Sequence, residues 1–377
     1  MKGLIVLSLF DGMSCGQIAL RQLGVKIDTY YASEVDKHAI LQTQLNFPDT
    51  VQLGDVRNVD GRKLGHVDLL IGGSPCQSFS FAGKRTGMST KQHEEIYTLD
   101  RYLELKHEGF EFEGQSYLFW EYMRILHELR ETNPNVFFLL ENVEMGKKWK
   151  KVLSNAIGLR GVHINSALVS AQIRKRIYWT NIRTTSDLFG NPNADIPQPK
   201  DRGIVLRDIL QDDAEVDESY YLKDETVKTL LEHKARNEKK GNGFGVVFHH
   251  GRGKMHAIKV GGKGVDDLVM IVASRGRQTV GDGTKTAQSL EPCPVEGKTK
   301  CLTTVAKDNL IVKADGSVEA CRIRRLTPTE CARLQTIPEW YKWKCSKTQQ
   351  YKMLGNGWTV EVIKHVLSFL PSEMTTK

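Results

Sequence analysis

The run LIVLSLF, from Leu4 to Phe10, carries no charge and is followed at once by Asp11 and Gly12. A strand this apolar is buried on both faces, and such strands belong to sheets covered by helices on either side. The rest of the first half follows suit. GQIALRQLG has apolar positions at helical spacing and a stop at Gly24. DTYYASEVD reads as a second strand and HAILQTQLNFP as a second helix, ending before Pro48. VQLGDVRNV is a short third strand and HVDLLIGGSP a fourth. Gln115 to Arg130 is a long amphipathic helix, NVFFLLENV a fifth strand, and HINSALVSAQI and RIYWTNI two more. Strands alternating with helices predict a parallel, doubly wound α/β sheet. Ligands of such sheets sit outside the carboxyl ends of the strands. Phe10, Glu34, Asp55, Cys76 and Glu141 all fall at or just past such an end.

The character changes after about Thr185. Pro192, Pro197 and Pro199 lead into a stretch rich in Gly, Lys, Arg and Thr, with short strand-like segments and a basic excess between Lys228 and Lys285. This predicts a smaller domain of β and irregular structure over 186–319, after a first domain over 1–185. The segment 320–377 then returns to the first domain. Within it, TPTECARLQ begins a helix with Thr327 as cap and Pro328 at the first position, and TVEVIKHVLSFL is amphipathic. The formal net charge of +8 over 377 residues suits an anionic partner, although many enzymes share it. Seven cysteines, an odd number with no CxxC, argue against a disulfide framework and for reduced thiols. No metal is expected, since Cys293 and Cys301 near His249, His250 and His256 fit no standard zinc spacing. No apolar run approaches the roughly 20 residues of a membrane span, so a soluble, intracellular protein is expected.

Gly12 and Gly16 flank the turn after the first strand, where backbone can approach a ligand. The GxGxxG fingerprint is absent, which disfavours a pyrophosphate. Glu34 is placed to accept from ribose hydroxyls and Asp55 from an adenine amino group. Together they suggest S-adenosylmethionine, against the plainer reading of both acids as helix N-caps. Cys76 leaves the fourth strand behind Pro75, which stiffens the turn and keeps Ser74 extended. That position suits a nucleophile more than a structural thiol. Glu141 projects into the same cleft, where burial can raise a carboxyl pKa. Gln172, Arg174 and Arg176 alternate and so share one face of an extended segment.

In order along the chain, SLFDGMSCG, YASEVD, GDVR, GGSPCQSFS, SYLFWEYMRIL, FLLENV, QIRKRIYW, RRLTPTECARLQTIP and YKMLGNGWTV resemble the motifs of the DNA cytosine-5 methyltransferases. The similarity extends to phage and bacterial members and to the animal de novo branch. It implies a class I S-adenosylmethionine-dependent methyltransferase sheet and a variable target-recognition domain over 186–319. It implies that Cys76 attacks carbon 6 of a flipped cytosine, that Glu141 bonds or protonates ring nitrogen 3, and that Arg174, with Arg176 beside it, holds the carbonyl at position 2. Around the cofactor it puts Phe10, Asp11, Gly12, Gly16, Glu34, Asp55, Val56, Ser74, Pro75, Leu118 and Asn356. Against the base or DNA it puts Gln77, Asn142, Gln172, Arg252, Arg275 and Arg277. Gly357 departs from the family, where a Ser usually follows.

Residues 89–114 form a charged, partly helical insertion, which either lengthens a closing loop hinged at Gly83 and Gly87 or makes a separate contact surface. Double-stranded DNA is the expected partner, and a monomer the family default. A cognate restriction endonuclease stays open, as does the compartment, a bacterial or phage-infected cytoplasm or a nucleus. Two alternatives accompany this reading. One is a transfer-RNA methyltransferase on the same fold. The other is a catalytically silent DNA-binding homologue, against which the joint presence of Cys76, Glu141, Arg174 and Arg176 speaks.

Overall fold

The structure is a computed structural model. It describes residues 3–75, 88–223, 225–226, 229, 232, 236, 239, 247–249, 254–256, 267–270, 274–280, 285–291, 310–312, 318–320 and 323–374. Cys76, Gln77, Gly83, Gly87 and Arg252 therefore lie outside the described residues.

The chain divides into two compact units, one of residues 1–203 with 334–377 and the other of residues 204–333. The divisions fall later than the composition change suggested, at 203 rather than 185 and at 333 rather than 319. Residues 186–203 stay with the first unit through a small hairpin and the packing of Ile196, which is buried.

In the first unit, β1 (Leu4–Leu9), β2 (Ile27–Ser33), β3 (Val51–Gln52), β4 (Leu69–Gly73) and β5 (Phe137–Val143) are parallel neighbours in the order β3-β2-β1-β4-β5. The sheet is completed by β6 (Val162–Asn165), at the far edge, and β8 (Lys175–Thr180), between β6 and β5. β8 runs antiparallel to both, so the sheet is mixed rather than all parallel. The connection explains this: the short link from β6 to β8 cannot hold the crossover helix that a parallel pair requires. HINSALVSAQI is not one strand either. Asn165 accepts the N–H of Ala167 and turns the chain through a 3-10 turn before the two-residue β7 (Gln172–Ile173).

Alternate residues of the central strands face opposite layers. Leu7, Leu9, Leu70, Phe138 and Leu140 pack with α4 (Phe119–Thr132), which buries Trp120, Tyr122, Met123, Ile125, Leu126 and Leu129, and with α5 (Lys147–Ile157), which buries Trp149, Leu153 and Ile157. Each such side chain stabilises the fold by roughly 1.5–3 kcal/mol. The other face meets α1 (Cys15–Gln22), where Gly16 lies so close to Ile71 that an added Cβ would sit 2.3 Å from its Cδ1. The C-terminal helix α8 (Val360–Leu367) packs beside α1, as its amphipathic pattern implied. Tyr341 ties this segment back by donating to the carbonyl of Met13 at 2.8 Å.

The insertion is folded. Ser89 bridges Glu95, Thr90 bridges Phe112, and α3 (Leu99–His107) is capped by Thr98. Met88, Ile96, Tyr102 and Leu105 join the core around α4. Glu121 of α4, fully buried, accepts from Tyr102 Oη and Lys106 Nζ, each at 2.5 Å, and from Arg124 Nε at 2.7 Å. From residue 88 on, the insertion is an annex of the sheet domain rather than loop.

The second unit contains the strands β9 (Val247–His249), β10 (Asp267–Met270) and β15 (Ile323–Arg325) in one small sheet, with two antiparallel pairs, β11 (Ser274–Val280) with β12 (Lys285–Glu291) and β13 (Leu310–Val312) with β14 (Val318–Ala320). Arg275 and Arg277 occupy alternate positions of β11. Thr327 and Glu330 form a reciprocal cap at the start of α6 (Pro328–Leu334). Glu330 also holds Arg324 through two bonds of 2.8 Å, both side chains being fully buried.

Candidate active site

Register sets the level of the candidate residues. Leu9 pairs with Ser33 and with Gly72, and Gly73 pairs with Glu141. Phe10 and Glu34 thus stand level with Gly73 and Glu141 at the carboxyl edge, with Ser74 and Asn142 one residue beyond, where the strand order reverses between β1 and β4. That reversal is where open α/β sheets bind ligands.

The turn after β1 is held in an unusual shape. Phe10, Gly12 and Ser14 have φ of 58°, 59° and 65°. Left-handed backbone costs nothing special for Gly12 but is strained for Phe10 and Ser14, a pattern found at ligand sites. The Gly12 N–H donates to Glu34 Oε2 at 2.8 Å, and the N–H groups of Val35 and Asp36 donate to Oε1 at 2.8 Å. A carboxylate offers about four acceptor positions. Three are taken, which leaves one on Oε2 for a hydroxyl. Glu34 is no helix cap: Asp36 caps α2 (Lys37–Asn46). Beneath the turn, Asp11 accepts from Tyr30 Oη at 2.9 Å. Burial pushes its carboxyl up to about 6, against the pull of the Ser8, Ser14 and Tyr30 hydroxyls.

Asp55 fits the plainer reading better. It caps a 3-10 turn by accepting Arg57 N–H, and its carboxylate meets the Arg57 guanidinium at 2.5–3.0 Å, which lowers its pKa. Val56 is buried behind it and Leu118 half-buried at the head of α4. Gly16 serves helix–sheet contact. Asn356 ends α7 (Lys347–Asn356) and is exposed.

Opposite this turn, Asn142 Nδ2 donates to Ser74, reaching Oγ at 3.0 Å and the carbonyl at 3.3 Å. Both residues are buried, so the backbone entering Pro75 is fixed from β5. Glu141 is 8% exposed and lies between two donors. Arg176 Nε approaches Oε1 at 2.9 Å and Trp358 Nε1 donates to Oε2 at 3.2 Å. Gly73 makes room for this: a Cβ there would sit 2.8 Å from Trp358 Nε1 and 3.1 Å from Glu141 Oε2. Arg174 is buried, and its Nη2 donates to the carbonyl of Gly357 at 3.0 Å and of Gly355 at 3.4 Å. Gln172 is fully buried, its amide without a partner among the described residues. The alternation of Gln172, Arg174 and Arg176 toward one side is as expected, with Ile173 and Lys175 exposed between them.

Trp358 is the residue that sequence reasoning missed. It touches the positions of both Gly16 and Gly73 and bonds Glu141. Its signal was an aromatic side chain directly after the glycine-rich turn GNG. Gly357 is also explained locally: a Cβ there would lie 3.0 Å from the Met353 carbonyl and 3.4 Å from Cys15 Sγ. The Cys15 thiol is itself buried, which pushes its pKa up to about 12.

A sheet in this order, antiparallel at its next-to-last strand and carrying its polar residues at the switch point, is the class I methyltransferase fold. The S. pombe Dnmt2 methyltransferase shares it, with a TM-score of 0.60 at 15% identity over 98% of each chain. More narrowly, the chain belongs to the C-5 cytosine-specific DNA methylase family, whose profile matches residues 4–371. It is 29% identical to type II methyltransferase M.HpaII of Haemophilus parainfluenzae, over 95% of this chain and 86% of the relative. It is also 29% identical to orphan methyltransferase M.SPRI of Bacillus phage SPR, over 98% of each.

Proposed function

We propose that the chain transfers a methyl group from S-adenosylmethionine to carbon 5 of a flipped-out cytosine in double-stranded DNA, through a covalent adduct with Cys76. The observation that carries this reading is the placement of Glu141, fastened by Arg176 and Trp358, beside the Asn142–Ser74 bond that fixes the approach to Pro75 and Cys76.

The β1–α1 turn fits the cofactor. Among the described residues, a Cβ at Gly12 would meet nothing within 4 Å, which leaves room above the turn. Glu34 keeps one acceptor position for a ribose hydroxyl, and Phe10 and Leu118 offer half-buried apolar surface to a purine. Asp55 reaches an adenine amino group only by sharing its carboxylate with Arg57. When bound, S-adenosylmethionine supplies an electrophilic methyl group.

The chain's own residues do the rest. The Cys76 thiolate adds to carbon 6, and the electron pair moves through the ring toward nitrogen 3. Glu141, in its protonated form, donates a hydrogen bond to nitrogen 3 as charge develops there, which leaves carbon 5 nucleophilic. Arg176 sets the rotamer of Glu141. Arg174, anchored on the Gly355 and Gly357 carbonyls, holds the carbonyl at position 2. A base then removes the carbon-5 proton, the ring double bond re-forms, and the Cys76 thiolate leaves. The second unit serves as target-recognition domain, with Arg252, Arg275 and Arg277 as candidate DNA contacts.

Methyl transfer from labelled S-adenosylmethionine tests this, with unmethylated genomic DNA and total transfer RNA offered in parallel and modified bases mapped by conversion sequencing. Label on cytosine carbon 5 of DNA, at one recurring sequence, is expected. Label in RNA alone would move the substrate to transfer RNA. No label, with S-adenosylmethionine still bound, would leave a silent homologue.

A further inference from the structure

Helix α5, KKWKKVLSNAI, has two unlike sides. Trp149, Leu153 and Ile157 recur every four residues and are buried. Ser154 accepts the indole N–H of Trp179 at 3.0 Å, which pins the helix to β8. The outward side presents Lys147, Lys150 and Lys151 to a cleft of about 570 Å³. Its other wall is Arg160 and His163, at the approach to β6, with Asn191 of the hairpin Thr184–Ala194. Among the described residues, no carboxylate lines this cleft. Arg160 is matched by Asp187 at 3.1 Å, His163 by Glu144 at 3.2 Å and Lys148, next to the cleft, by Glu95 at 2.5 Å. Lys147, Lys150 and Lys151 have no carboxylate within salt-bridge distance among the described residues. Like charges three and four positions apart on one helix repel, so this face carries a small cost that a polyanion would relieve.

We infer that this cleft binds the sugar–phosphate backbone of duplex DNA flanking the target cytosine. The inference rests on the reading of the chain as a DNA methyltransferase. α5 starts four residues after β5, the strand that carries Glu141, so its lysine end lies at the same edge of the sheet as the candidate site. The three lysines lie within the first five residues of α5, about 6 Å of helix axis, and their long side chains can reach neighbouring phosphates of one strand. Lysine ammonium groups act as point charges on phosphates rather than as readers of base edges. The surface therefore adds affinity and register, not sequence choice.

The test is fluorescence anisotropy with a random-sequence duplex of about 40 base pairs, titrated across a salt series. The chain is compared with the Lys147→Gln/Lys150→Gln/Lys151→Gln variant. A control variant, Lys26→Gln/Lys63→Gln/Lys91→Gln, removes the same net charge from other exposed places on the unit. Each phosphate contact contributes about 0.9 to the slope of log affinity against log salt. The cleft variant is expected to lose roughly 2.7 of that slope and the control to keep it. An unchanged slope in the cleft variant, or an equal loss in both, overturns the inference. A loss seen with total transfer RNA but not with the duplex overturns the choice of DNA. Methyl transfer to genomic DNA by the unaltered chain is measured alongside. A chain that methylates DNA but shows no cleft effect refutes this surface alone, and one that never methylates DNA refutes the function on which it rests.

Discussion

Glu141 gains its orientation from two donors of different kinds, and each can be removed without emptying space. Trp358→Phe deletes one N–H and keeps most of the ring volume over Gly73. A hydrogen bond to a charged group contributes about 1.5–3 kcal/mol, so kcat should fall roughly tenfold or more while KM for DNA and for S-adenosylmethionine changes little. Steady-state kinetics read the difference, and a change confined to KM would count against a positioning role. Glu141→Gln retains size but can neither pair ionically with Arg176 nor pass a proton to nitrogen 3, and should cost about 10²-fold or more in kcat. Asp11 gives a pH signature. Its folded pKa of about 6 stands above the ordinary 3.8, so between those values the folded chain holds a proton that the unfolded chain has lost. Its contribution to stability therefore declines as pH rises through that window and stays low above it. Asp11→Asn removes the penalty. Urea denaturation should find the variant more stable than the parent at pH 7.5, with the gap closing toward pH 4. A gap that widens on acidification would mean that the Asp11 carboxyl is not held above its ordinary value.

At the scale of elements, the insertion and the sheet domain share one polar joint. Glu121→Ala would leave the buried Tyr102 hydroxyl without its acceptor, while Arg124 keeps Glu128 at 2.7 Å and Lys106 is 37% exposed. An unsatisfied buried polar group costs about 1–3 kcal/mol. Chemical denaturation should register a loss of about 2 kcal/mol. A value below about 0.5 kcal/mol would show that α3 is not held through this joint. The insertion was legible as charged and partly helical, but not as part of the core. Glu121 looks like any surface acid in LFWEYMRIL, and only the three partners converging on it reveal that it is buried. The parallel strands β1, β2, β4 and β5 were readable because both faces are covered and their sequences are continuously apolar. The direction of β8 was not, since RIYWTNI is equally compatible with either, and a short connection rather than composition decides it.

For the molecule as a whole, the sequence placed the candidate site at one edge of one sheet, and the register of β1, β2, β4 and β5 gathers Phe10, Glu34, Ser74 and Glu141 there. Asp55 and Gly16 were legible only as positions. Their partners, Arg57 and Ile71, are set by local turn geometry and helix packing that no motif records. The division into units falls beyond the composition change because chain packing, not charge, decides where a domain ends. The central claim is that Cys76 bonds the cytosine while its neighbours manage the ring charge. DNA in which every cytosine carries fluorine at carbon 5 tests it most directly, because fluorine cannot leave as a cation and the adduct cannot resolve after methylation. The protein, S-adenosylmethionine and such DNA are incubated together and digested, and peptides are weighed by mass spectrometry. The account predicts a methylated fluorocytosine on the Cys76 peptide and none with Cys76→Ser. Methylation of ordinary DNA without any such adduct, or an adduct on another residue, would contradict it.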